Sequence, residues 1–145
     1  MKTLKKFLVQ KKYTKTKLIL TATNHFEISA KINGISGRFI VDTGASNTCI
    51  GFDKIEYFNL TSKESKIKAA GAGASNMETL VSTKNSIEIN SWHYKKLKIV
   101  LFDLVHINEA LLAHKANPVD GIIGADILKK GKAIIDYNKK YIYLK

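Results

Sequence analysis

The stretch "GRFIVDTGASNTCI", Gly37 to Ile50, raises the first question about this chain. The apolar run Phe39-Ile40-Val41 has the character of a buried strand, and it delivers a carboxylate, Asp42, straight into Thr-Gly. An aspartate in that place commonly bonds the backbone ahead of it and shapes a turn. Here it also emerges from an apolar wall. Thr43 offers a hydroxyl that can lock the turn, and Gly44, without a Cβ, lets a peptide come close. Together these residues can hold a carboxylate rigidly at the floor of a cleft.

Most of the chain around this stretch reads as strands. Leu18–Ala22 is followed by Phe26–Ile32, in which Phe26, Ile28, Ala30 and Ile32 alternate with other residues. Asn33-Gly34 predicts a hairpin turn that returns as Gly37–Asp42. A short helix is expected over Phe52–Phe58. Lys66–Ser82 reads as two strands joined by a glycine- and alanine-rich tip, Gly71–Asn76. Ser86–Asn90 and Lys96–Asp103 are further strands, and Ile107–Lys115 has helical spacing. Asp120–Gly131 reads as a buried strand ending in glycine, a short helix and a glycine stop, and Ala133–Leu144 as a closing hairpin. Many short strands with regular turns predict a mainly β, closed barrel-like fold.

A length of 145 residues suits one domain with a real core. No apolar run reaches the roughly 18 residues of a membrane span, so no membrane partner is expected. A single cysteine, Cys49, cannot form an internal disulfide, and a cytoplasmic location is the expectation. The net charge of +12 is unevenly spread. Seven of the 24 basic residues fall in residues 1–17, which precede the first acid, Glu27, and are read as a basic arm before a domain over residues 18–145. Arg38 is the only arginine, and arginine is the residue suited to bidentate phosphate and guanine contacts. Specific nucleic-acid binding is therefore not expected. The four histidines are scattered without metal-ligand spacing, so no metal and no cofactor are expected.

Two carboxylates can hydrolyse an amide without a metal. One, ionised, takes a proton from water; the other, protonated, polarises the carbonyl oxygen. Like charges about 3 Å apart cannot both ionise easily, so the pair shares one proton. Asp-Thr-Gly occurs once in this sequence. The second acid would have to come from another copy of the chain, which a two-fold axis supplies.

At this point the chain resembles the retropepsin-like aspartic proteases, the single-domain homodimeric relatives of pepsin. Phe39–Ser46 is similar to the family's active-site loop, and Asp120–Leu128, with Ile122-Ile123-Gly124, is similar to its apolar-apolar-glycine motif followed by a short helix. The resemblance spans Leu18 to Leu144. It implies an acid protease fold with a short C-terminal helix; the stretch Leu104–Val119 adds an extra helix. It implies Asp42 as the catalytic acid/base, with Thr43, Gly44, Ala45 and Ser46 in the active-site loop. Thr43 would tie two loops together across a dimer axis, and Gly44 would line the substrate backbone. Ala70, Gly71, Ala72, Gly73, Ala74 and Ser75 would form a flap over a bound peptide, and Ile122, Ile123 and Gly124 would support the site. The implied function is an aspartic endopeptidase acting on a peptide or protein substrate as a homodimer. The alternative is a catalytically weak or inactive dimeric peptide-binding module of the same fold. In viral members the chain ends interleave between subunits, and Tyr141–Lys145 could do so here. Asp126 is read as capping or pairing locally at its helix, with a site-facing role as the alternative, and Cys49 as a small buried hydrophobe.

Overall fold

The structure, a computed structural model, describes residues 1–64 and 78–145. The expected flap, Ala70–Ser75, lies outside the described residues. The elements are, in chain order, α1 (Leu4–Gln10), β1 (Thr14–Lys17), β2 (Ile19–Leu20), β3 (Phe26–Ile32), β4 (Ile35–Val41), β5 (Cys49–Gly51), β6 (Lys63–Glu64), β7 (Leu80–Ile89), β8 (Trp92–Phe102), α2 (Val105–Ala113), β9 (Gly121–Ile123), α3 (Ala125–Lys130), β10 (Ile134–Asp136) and β11 (Tyr141–Leu144). A 3-10 turn, Phe52–Lys54, follows β5, where a longer helix was expected; Phe58 then drops into the core.

Eight strands form one sheet in the order β2-β3-β4-β9-β5-β8-β7-β6. A further pairing, Lys31↔Glu88 and Ile32↔Ile87, joins β3 to β7 and closes six of them into a barrel. The fold is the mainly β barrel read from the sequence. The Asn33-Gly34 turn carries positive φ at both residues, 52° and 80°, as a two-residue type I′ hairpin requires. Asn33 also fastens the barrel seam. Its side-chain amide donates to Phe58 O and Asn85 Oδ1, and its Oδ1 accepts from Ser86 N.

The interior is the alternate face of these strands. Ile28, Ile32, Phe39, Ile50, Ile87, Ile99 and Leu101 are fully buried in the main cluster. The second strand expected within Lys66–Ser82 and the expected strand Ser86–Asn90 meet in one strand, β7. Register shifts on either side of Asn85 absorb the break between them, with Lys84 at a φ of 61°.

The N-terminal region departs from a free arm. Thr3 caps α1 by accepting from Lys6 N, and Leu8 is buried. β1 then pairs with β11, from Thr14↔Leu144 to Lys17↔Tyr141. The Thr16 side turns inward while the lysines keep their charges outside, Lys15 lying over the Tyr141 ring. The division expected at residue 18 thus falls between two strands of the domain. This pairing also corrects the expected role of the last residues. In the sheet β1-β11-β10, the strand Tyr141–Leu144 is central and both its edges are taken within its own chain. It has no edge left for interleaving with a partner. The edge of this sheet on the far side from β1 is β10.

Candidate active site

The site is built where three strands cross. β9 runs parallel to β4, from Phe39↔Gly121 to Val41↔Ile123, and antiparallel to β5, Cys49↔Ile122 and Ile50↔Gly121. It therefore threads between the strand that enters the Asp42 loop and the strand that leaves it. The close fit needs glycine. A Cβ on Gly121 would lie 2.2 Å from Cys49 O, and one on Gly124 would lie 2.6 Å from Ala45 O and 2.8 Å from Asn47 O. Backbone atoms on both sides leave no room to yield.

The loop from Asp42 to Asn47 is fixed by hydrogen bonds at both ends. Asp42 N donates to Ile123 O at 2.9 Å, Ala45 N to Asp42 O at 3.2 Å, and Ala125 N to Ala45 O at 2.7 Å. The Asp42 carboxylate accepts from Gly44 N at 2.9 Å through Oδ1. Its side chain is exposed in the single chain, as are Thr43, Gly44 and Ser46; Ala45 is half-buried. Among the described residues the Thr43 hydroxyl has no hydrogen-bond partner.

Sequence reasoning missed the tie that holds the loop from behind. Thr48 is fully buried and donates both its N–H, at 3.0 Å, and its hydroxyl, at 2.8 Å, to the Asp126 carboxylate. Asp126 also accepts from Ile127 N at 2.8 Å, and Gly124 N donates to Thr48 Oγ1 at 3.2 Å. Asp126 is not the cap of α3, whose N-cap is Gly124; it sits in the first turn, and its main task is to join the active-site loop to α3. The 78 residues between the partners explain why no local pattern shows it.

A groove borders the loop, lined by Asn24, His25, Phe26, Val41, Ile135 and Tyr137 together with Asp42 and Thr43. It connects the loop to β10. His25 Nδ1 is 2.7 Å from Thr23 Oγ1, which is 2.8 Å from Thr21 Oγ1, so the ring is held at the groove's rim.

Cys49 is buried, its thiol donating to Asn47 O at 3.1 Å. Burial first, then the nearby charges of Asp126 and Asp42, push the thiol up to about 12. A raised value keeps the group protonated across the neutral range, so it is no nucleophile. A thiol reagent at neutral pH should leave the native protein unlabelled and react once per chain in denaturant; fast labelling of the native protein, read by mass spectrometry, would contradict this. Among the described residues no group of three or more His, Cys, Asp or Glu side chains could hold a metal ion.

A sequence profile of the aspartyl protease family matches residues 28–127, the span that contains the loop, the barrel seam and the threading strand. The chain belongs to the aspartyl protease family. None of the curated proteins matches it. Solved structures of similar fold include a retropepsin-like aspartic protease from Rickettsia conorii, 18% identical, with a TM-score of 0.61 over 91% of this chain and 90% of that one. EIAV protease in complex with an inhibitor is 20% identical, with a TM-score of 0.55 over 76% and 90% of the two chains. The retroviral protease-like domain of Ddi1 from Leishmania major is 15% identical, with a TM-score of 0.55 over 90% and 89%. At these identities the likeness carries the fold, which is retropepsin-like. In this aspartyl protease fold Asp42, Thr43 and Gly44 form the exposed loop, and Ile122, Ile123 and Gly124 sit directly behind it. No helix among the described residues is long and apolar enough to cross a membrane.

Proposed function

We propose that the protein is an aspartic endopeptidase, active as a homodimer, that hydrolyses peptide bonds with a water activated between Asp42 and the same residue of a second copy. The observation that carries this reading is a half-built site. Asp42 is held by its loop and exposed, and Thr43 beside it presents a hydroxyl with no partner among the described residues. A two-fold axis at this loop supplies the second carboxylate and a second threonine for the first. The pair then holds one proton. The ionised member takes a proton from water, the protonated member donates to the carbonyl oxygen, and the proton passes to the leaving amine. Gly44 lines the substrate backbone, and Ala45 and Ser46 continue the loop. No cofactor is needed. A cytoplasmic location completes the proposal.

The interface is assigned to the free edge of β10 and the groove beside it. The edge carries unpaired backbone groups ready to join a second strand. The groove runs from that edge to Thr43 and Asp42, so a copy seated there stands next to the acid. Ile134 is half-buried and outside the main core cluster, which leaves it free to meet its equivalent. Ile134→Asp should convert the protein to a 16.2 kDa monomer that keeps the circular dichroism of a folded β protein, and lower cleavage at fixed concentration by roughly tenfold or more. A variant that stays dimeric and fully active would remove this interface.

The test of the function is cleavage of a diverse peptide pool between about pH 4 and 7, with and without pepstatin. The expected result is a rate maximum at mildly acidic pH, because two coupled carboxylates lose their protons in separate steps. A protein that binds peptides but cuts none at any pH is the binding module instead.

A further inference from the structure

Side chains alternate along β4. Phe39 and Val41 face the main core cluster, and Ile40 faces the other way. Asp42 N continues the pairing of β4 with β9 by donating to Ile123 O, and the alternation carried one residue on puts Asp42 on the Ile40 side. Cys49 is on that side too, and both Ala45 of the active-site loop and Ile107 of α2 pack against its cluster.

This face is covered by α2 and the segment after it. Ile40 is packed against Leu111, Ala116 and Val119, all of them buried. Ile107 bridges these residues to the neighbouring cluster of Cys49, Val100 and Ile122. The cover is clamped. Asn108 donates to Val119 O at 3.1 Å and accepts from Val119 N at 2.8 Å, which fastens the helix to the end of its own loop. The apolar surface that a bulky substrate side chain would need beside Asp42 is already occupied by the chain itself.

We propose that α2 sets the size of the side chain accepted next to the scissile bond, with Ile107 and Leu111 filling the apolar subsite beside Asp42. The substrates are then peptides with glycine, alanine or serine at the position lying against this wall. This inference rests on the protease reading above. Asn108 is a positioning residue that holds the wall in place.

The test varies the residue on either side of the scissile bond in a peptide series. Wild type should cut small residues in preference to leucine or phenylalanine at one of these positions by roughly tenfold or more in kcat/KM. Ile107→Ala and Leu111→Ala should shift that preference toward the bulky residues. Leu111 is a core residue, so Asn108→Ala is the second variant: it unclamps α2 without removing an apolar side chain, and should shift the preference the same way but less. Melting curves for each variant accompany the assay. Wild type cutting bulky and small residues equally well would overturn the proposal and leave the protease reading standing. So would an unchanged preference in both Ile107→Ala and Asn108→Ala. Absence of Asp42-dependent cleavage in every protein would sink the protease reading itself, and this proposal with it.

Discussion

Asp42→Asn should reduce peptide cleavage by about 10⁴-fold while leaving the fold unchanged. The asparagine keeps Oδ1, so it still accepts the 2.9 Å hydrogen bond from Gly44 N. The side chain is exposed in the single chain, and a substitution of this kind shifts stability by less than about 0.5 kcal/mol. The chemistry fares differently. In the proposed homodimer both carboxylates disappear at once, and an amide neither takes a proton from water nor gives one to a leaving amine. Peptide binding survives because the loop backbone, with the Gly44 hydrogen bond, is kept. Cleavage by the variant within tenfold of wild type would mean that the reaction is carried elsewhere.

Asp126→Ala should be the most damaging single change outside the interior. It leaves both the N–H and the hydroxyl of Thr48 without an acceptor at a residue with no solvent exposure, and it frees Ile127 N as well. Each buried orphan costs about 1–3 kcal/mol, so a loss of about 3 kcal/mol is expected. For a chain of this size that lowers the melting temperature by about 10 °C. The loop it ties back carries Asp42, so activity should fall further than stability alone explains. Asp126→Asn should lie in between, since an amide offers one acceptor where the carboxylate offers two. A melting temperature unchanged in Asp126→Ala would show that the loop is held by the glycine packing and backbone hydrogen bonds alone.

What the sequence made legible was local. Asn33-Gly34 announced its hairpin because only a few residue types accept two positive φ values in succession. Phe39–Gly44 announced a strand running into a rigid acidic turn, and Ile122-Ile123-Gly124 a buried strand with a glycine end. What stayed hidden depends on contacts between distant segments. The threading of β9 between β4 and β5 brings together residues about 80 positions apart, and no period in the chain records it. Thr48 and Asp126 are ordinary residues until that threading places one against the other. The lysine-rich start read as a solvated arm because charge dominates its composition. A Thr3 cap, a buried Leu8 and the edge of β11 recruit it into the domain instead. The same pairing uses up both edges of β11, and so turns attention from the last residues to β10 as the strand that could meet a partner.

The central claim is that two chains each contribute half of one catalytic pair, and the most direct measurement mixes them. Wild type and Asp42→Asn, unfolded together and refolded at varying ratios with total protein held constant, assemble at random. If one acid from each chain is needed, mixed dimers are dead, and the cleavage rate falls as the square of the wild-type fraction. A rate that falls in simple proportion to that fraction would show each chain working alone, and would contradict the shared pair.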